Sequence, residues 1–154
     1  TEICKENYKT LFGGEALNPA GDDPEMLAIL QKYIFGEVFT VGKLDIKTRE
    51  MITVTSLAVQ QTLPQLKAHI NAALNAGATP IELREVIYQC APFIGFPKTL
   101  NDLNILNEVF KERGIQTPLK STATVTEQER FEKGLAIHKP LYGDEIQKLM
   151  EGLP

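Results

Sequence analysis

Pro64-Gln65-Leu66-Lys67-Ala68-His69-Ile70-Asn71-Ala72-Ala73-Leu74-Asn75-Ala76-Gly77-Ala78-Thr79-Pro80-Ile81-Glu82-Leu83-Arg84-Glu85-Val86 sets the architecture of this chain. Leu66, Ile70, Ala73 and Leu74 recur at the three- and four-residue intervals that place side chains on one side of an α-helix. Residues 64–76 therefore read as a helix with those four facing inward. Gly77 ends it, because glycine enters the left-handed conformation that closes a helix without a Cβ penalty. Thr79-Pro80-Ile81-Glu82 then starts another helix. Thr79 caps, Pro80 occupies the first turn where its missing N–H is not needed, and Glu82 completes a capping box. Leu83, Val86, Ile87 and Cys90 continue on one face.

The same reading extends both ways. Asp45 caps a helix running to about Gln61. Its β-branched run Ile52-Thr53-Val54-Thr55 also suits a strand, but its length and apolar residues on all sides favour a buried helix. Further upstream, Asp23-Pro24 opens residues 24–41, with Met26, Leu27, Leu30, Ile34, Val38 and Val41 on one side and Gly42 as the stop. Downstream, Pro92, Gly95 and Pro97 mark a turn. Residues 97–113 form the next helix, with Leu100, Leu103, Leu106, Val109 and Phe110 apolar and Gly114 at its end. Thr126-Glu127-Gln128-Glu129 is a second capping box, opening a helix to about Lys139, and a last short helix covers 144–150. No hairpin or convincing alternation occurs. The expected fold is all-α, with an N-terminal arm (1–23), a helical domain (24–114), a linker (115–125) and a C-terminal helical arm (126–154).

The two arms resemble each other. Glu6-Asn7-Tyr8-Lys9-Thr10-Leu11-Phe12-Gly13-Gly14-Glu15 is echoed by Glu132-Lys133-Gly134-Leu135 followed by Leu141-Tyr142-Gly143-Asp144-Glu145. Each places aromatic-Gly-x-Glu after a helical run. The tail reads as the entry arm of a second copy, or else as an unrelated amphipathic helix.

Composition narrows the function classes. The chain has 154 residues, 43% hydrophobic and 23% charged, with a net charge of −4. At this length roughly 70% of the unfolded surface is buried, so a core forms without disulfides or metals. The negative balance gives no electrostatic footprint for nucleic acid or anionic membrane. Charges interrupt each apolar run before it reaches membrane-spanning length. Glu2, Lys5, Glu6 and Lys9 break up any leader-like core. Two cysteines, Cys4 and Cys90, make no disulfide framework and suggest a reducing cytoplasm.

Among titratable residues, His69 and Glu50 carry the strongest suggestion of chemistry. A histidine titrates near neutral pH and suits proton transfer. Glu50 sits early in the preceding helix. If the two helices run antiparallel, it meets His69 and orients the imidazole. Thr62 and Gln65 flank Pro64 and, with Gln61, offer hydrogen bonds to a bound carboxylate beside the free N–H groups of the helix start. Arg49 and Arg84 are further carboxylate partners, although surface pairing is the commoner use. Cys90 lies on a core stripe, where a thiol is inert. His69 and His138 have no companion ligand spacing, so no metal is expected. Gly13-Gly14 lacks the Lys-Ser/Thr of a phosphate loop, so no cofactor is expected either.

Tyr33-Ile34-Phe35-Gly36-Glu37-Val38-Phe39, Gly42-Lys43-Leu44-Asp45-Ile46-Lys47-Thr48-Arg49-Glu50, the segment from Leu66 to Val86 quoted above and Gly95-Phe96-Pro97-Lys98 together resemble the carboxymuconolactone decarboxylase family, which includes alkylhydroperoxidase D-like proteins. The resemblance covers about residues 25–113. It implies an alkylhydroperoxidase D-like helical bundle that assembles as a homo-oligomer, often a trimer or hexamer, around a small-molecule substrate. Glu50, Thr62, Gln65 and His69 follow a Glu-x11-Thr-x2-Gln-x3-His spacing. In the hydroperoxidase branch the Thr62 and Gln65 positions are both cysteine. The decarboxylase branch tends to carry a small residue at the Glu50 position and an acid at the Gln65 position. The resemblance therefore implies acid–base chemistry by His69 and Glu50 on a small carboxylated, lactone-type substrate. The alternatives are a peroxiredoxin-like antioxidant module lacking its thiols here, and a non-catalytic oligomeric member. The tail is similar to tandem members, of which this would be the first domain.

Overall fold

In a computed structural model of the chain, residues 1–18 and 21–152 are described. Positions 19, 20, 153 and 154, which fall in the two expected arms, lie outside the described residues. Eight α-helices and no strand occur among those described: α1 (Glu2–Phe12), α2 (Pro24–Gln31), α3 (Ile46–Gln60), α4 (Leu63–Asn75), α5 (Pro80–Ile94), α6 (Phe96–Glu112), α7 (Arg130–Tyr142) and α8 (Glu145–Glu151). The all-α reading holds. None of these helices is long and apolar enough to cross a membrane. The chain divides into two compact units, Thr1–Leu119 and the remainder from Lys120.

The corner between α4 and α5 forms as its residues dictate. Gly77 takes φ 92, and the N–H of Ala78 returns to Ala73 O at 2.9 Å, closing α4. The Thr79 hydroxyl accepts from Glu82 N at 3.2 Å, while Glu82 accepts from Thr79 N at 2.7 Å. Asp45 caps α3 by accepting from Thr48 N at 2.9 Å. Each cap satisfies donors that the first turn leaves unpaired.

Helix α4 has two buried faces, and this positions the site. Leu66, Ile70 and Ala73 enter the main core with Val54 and Ala58 of α3, Leu83, Ile87 and Cys90 of α5, and Leu106, Val109 and Phe110 of α6. On its other side Ala72 joins a second cluster with Cys4 and Leu11 of α1 and with Phe35. Each fully buried large side chain is worth about 1.5–3 kcal/mol of transfer free energy.

Several expectations need correction. Residues 24–41 are not one continuous helix. Helix α2 ends at Gln31, a π-helical turn follows over Lys32–Glu37, and a 3-10 turn covers Val38–Thr40. The wider turn rotates the side chains that follow it. Phe35 is thus the residue that is buried, while Met26, Leu27, Leu30, Val38 and Val41 stay exposed in the single chain. Gly36 faces α1 so closely that an added Cβ would meet Cys4 Cβ at 3.4 Å.

Helix α3 is buried on one side only, through Glu50, Val54 and Ala58, with Ile52 and Val59 exposed. Its apolar residues outnumber those the neighbouring helices cover. On α6 the buried phase runs Thr99, Asp102, Leu106, Val109 and Phe110, which leaves Leu100 outside. The second capping box also acts before its helix begins: Glu129 accepts from Thr126 N at 3.2 Å, but α7 starts at Arg130.

Candidate functional site

Helices α3 and α4 bring Glu50 and His69 together. His69 Nδ1 lies 2.7 Å from Glu50 Oε2. Glu50 is fully buried, and the His69 side chain is 21% exposed. The imidazole therefore spans from the interior to the surface, with its inner nitrogen held by the carboxylate. With Glu50 as a carboxylate, which only accepts, Nδ1–H is the donor of this contact, a tautomer assigned from the partner and not observed directly. Glu50 Oε1 is also buried and has no hydrogen-bond partner. Such an unmet acceptor costs free energy in a packed interior, and functional sites are where it is tolerated.

Aromatic rings wall this pair on the α1 side. Phe12 meets the His69 ring edge-on, with centroids 5.5 Å apart. Phe35 contacts Tyr8, Phe12 and Phe39 at centroid separations between 5.3 and 5.7 Å. Cys4, Leu11 and Phe35 belong to one buried cluster. Asn7 and Asn75 stitch the wall in place, the first donating to Phe35 O at 2.8 Å and the second to Leu11 O at 2.7 Å.

The other sequence-selected residues lie elsewhere. Arg49 donates to the carbonyls of Leu44, Val38 and Val41 and covers the Phe39 ring, so its guanidinium straps down the segment ahead of α3. Thr62 is the residue flanking the N-terminus of α4, but its hydroxyl donates backward to Leu57 O at 3.4 Å. Gln65 is exposed on the first turn of α4. Gln61 takes the left-handed conformation, φ 59, at the end of α3. Its amide nitrogen donates to Ala58 O and to Asp102 Oδ1, and its amide oxygen accepts from Asn101. Arg84 reaches toward Leu119 O and lies over the Tyr88 ring.

Sequence reasoning missed Asp102. It is fully buried on α6, and one of its oxygens, Oδ2, has no partner. Burial raises its carboxyl to about 6, only partly offset by the Gln61 amide. Burial, assisted by the Asp102 charge, also pushes the Cys90 thiol upward. Asp102 falls on the 99, 102, 106, 109 spacing, so an acid in phase with a buried stripe was the available signal. The aromatic wall was missed because α1 lies far from α4 in sequence.

What results is an all-α protein with a carboxylate-backed histidine between two central helices and an aromatic wall beside it. The carboxymuconolactone decarboxylase family model matches residues 24–108, more than half of the chain, and the chain belongs to that family. Among curated relatives, an uncharacterized 15.0 kDa protein from the nqo9-nqo10 intergenic region of Paracoccus denitrificans is 37% identical over 91 residues, or 58% of this chain and 68% of that protein. A 4-carboxymuconolactone decarboxylase of Acinetobacter baylyi is 31% identical over 86 residues, 56% of this chain and 64% of the relative. A nitrosuccinic acid decarboxylase, npaB, of Metarhizium robertsii is 28% identical over 85 residues, 49% and 59% of the respective lengths. The matched stretch thus spans about two thirds or less of each of these relatives.

Proposed function

We propose that this protein is a lyase of decarboxylase type, in which His69 transfers a proton to or from a small carboxylated, lactone-type substrate and Glu50 positions it. The observation that carries this reading is the 2.7 Å contact of His69 Nδ1 with a fully buried Glu50. The chemistry asked of the pair is modest. As the substrate carboxylate leaves as carbon dioxide, its bonding electrons move into the conjugated carbonyl. Nε2–H of the imidazolium then protonates the carbanionic carbon, and water restores the imidazole proton. Positioned proton transfer of this kind typically contributes roughly 10²- to 10⁴-fold in rate. The names of two relatives, each a decarboxylase, support the same class. Thr62, Gln65, Gln61 and Arg49 are proposed as the groups that bind the substrate carboxylate, Thr62 and Gln65 from the start of the helix that carries His69. The antioxidant reading has less support, because Cys4 and Cys90 are both buried and neither stands at the Thr62 or Gln65 position.

Assembly as a homo-oligomer, a trimer or hexamer, is part of the proposal. Met26, Ile29, Tyr33 and Val41 leave apolar surface on and after α2, each at 60% exposure or more. Large apolar patches mark interaction sites. We place the protein in the cytoplasm, where two unpaired thiols persist. The organisation into an entry arm, a catalytic domain, a linker and a second arm is proposed with it.

The test is carbon dioxide release from a panel of small carboxylic acids bearing a lactone or nitro group, by wild type, His69→Ala and Glu50→Gln. The expected result is loss of turnover in the first variant and a reduction in the second. A His69→Ala protein that is folded and turns over a genuine substrate at the wild-type rate removes the histidine from the mechanism.

A further inference from the structure

Helix α1 stands ahead of residue 24, where the family match begins, yet its last residue, Phe12, touches the candidate site. The Phe12 and His69 rings lie 5.5 Å apart between centroids and cross at 87°. A perpendicular pair at this separation is one of the arrangements that aromatic rings favour. Phe12 is in turn set by its own neighbours, since its ring lies 5.0 Å from Tyr8 and 5.7 Å from Phe35. The family match assigns it no role.

The end of α1 is seated on the helix that carries His69. Asn75 of α4 donates to Leu11 O at 2.7 Å, a carbonyl that the helix end leaves free. The Asn75 side-chain oxygen accepts from Arg113 at 2.9 Å, which turns the amide nitrogen toward α1. Leu11 is fully buried, and Asn7 fastens α1 to Phe35 O at 2.8 Å. Gly13 then takes φ 71 and its N–H returns to Lys9 O, so α1 closes directly after the ring. These anchors hold the backbone of Phe12 without using its side chain, which is only partly buried.

Glu50 holds one atom of the imidazole, Nδ1. A single contact leaves the ring free to tilt about the line from Nδ1 to Oε2, and Nε2, the nitrogen proposed to face substrate, moves with that tilt. A ring crossing the imidazole plane at 87° limits it. Proton transfer is sensitive to such placement, because a displacement of about 1 Å can cost roughly 10²-fold in rate. We infer that Phe12 is a positioning residue, supplied by α1, that fixes the imidazole plane while Glu50 fixes its inner nitrogen. Its bearing on turnover rests on the role proposed for His69, whereas the restraint itself does not.

The experiment reads the order parameter of the His69 Cε1–H bond by carbon relaxation in the full chain, with His138→Gln in every sample so that a single imidazole remains. Phe12→Leu keeps apolar bulk and helix propensity but removes the ring, and Phe12→Met is a second ringless variant. Phe12→Tyr keeps the ring. Val109→Ala, in the core cluster that excludes α1, controls for a general loss of stability. The His69 ring is expected to be rigid, at about 0.85, in wild type, Phe12→Tyr and Val109→Ala, and to fall to about 0.6 or below in the ringless variants. A ring as rigid in Phe12→Leu and Phe12→Met as in wild type overturns the inference. So does an equal loosening in Val109→Ala, which would make the effect one of stability alone. With a panel acid that wild type decarboxylates, Phe12→Leu should lower kcat by about tenfold or more and leave KM unchanged, and an unchanged kcat overturns the positioning role. Failure of the wild type to release carbon dioxide from any acid of the panel refutes the decarboxylase reading instead, and the relaxation measurement still decides on Phe12.

Discussion

Replacing Asp102 with asparagine should make the protein's stability respond less to pH, and the direction follows from burial. The Asp102 carboxyl stands at about 6 in the folded protein because it is buried, against 3.8 for the group in water. A raised folded value means that the native state binds a proton that the unfolded chain has already released. Above pH 6 both states are ionised, and the native state bears the full cost of the buried charge. Between about pH 6 and 4 the native carboxyl takes up its proton and the cost fades. Below about pH 4 it is gone. The gap from 3.8 to about 6 corresponds to about 3 kcal/mol, at roughly 1.4 kcal/mol for each pH unit. Asparagine keeps the acceptor for Gln61 Nε2, which lies 2.9 Å from Asp102 Oδ1. It also puts an N–H2 group where Oδ2 has no partner, an offset of about 1–3 kcal/mol that does not vary with pH. Urea unfolding of wild type and Asp102→Asn in steps from about pH 4 to 8 isolates the slope from the offset. As pH rises from about 4 to 7, the difference in unfolding free energy should shift in favour of the Asp102→Asn protein by about 2.4 kcal/mol, most of that total. A flat difference, or one that moves the other way, shows that the buried carboxyl carries no such cost.

The same geometry sets the remaining outcomes. His69→Ala leaves the Glu50 carboxylate buried without its partner, so urea titration at about pH 7 should show a loss of about 3–5 kcal/mol, with Glu50→Gln milder. Thr79→Ala removes one half of the α5 capping box and should cost about 1 kcal/mol by the same measurement. The Glu82 carboxyl is held at about 2, first by Lys47 and then by the Thr79 N–H. Its folded value is depressed, so the stability it contributes is present above pH 4.5 and lost toward pH 2. Lys47→Met should lose resistance to acid unfolding between those limits while its pH slope near neutrality stays that of wild type. Cys90, 3% exposed and with its thiol pushed upward, should react with a chromogenic disulfide reagent only as the chain unfolds, and prompt stoichiometric labelling of native protein would contradict its burial.

Local signals told the helices apart because their ends are written in short-range chemistry. Asp45, Gly77 and the Thr79–Glu82 box each act within a few residues, so their spacing is visible without knowing the fold. Phase was harder. Residues 24–41 read as one helix because periodicity cannot register a π-helical turn, which lies where Gly36 lets α1 come close. Leu100 looked like core because hydrophobicity alone does not reveal that Thr99 and Asp102, at 4% and 0% exposure, occupy the inward phase of α6.

Residue order was enough to specify an all-helical chain and the corner between α4 and α5, and it singled out Glu50 and His69 as candidates whose meeting depended on how α3 and α4 pack. Packing of the helices was needed to bury Glu50 completely, to lay Phe12 of the distant α1 against the imidazole, to commit Gln61 and Arg49 to backbone and corner contacts, and to draw Asp102 inside. Capping and periodicity are properties of neighbouring residues. Burial and desolvation depend on which distant helices arrive, and a single side chain does not carry that information.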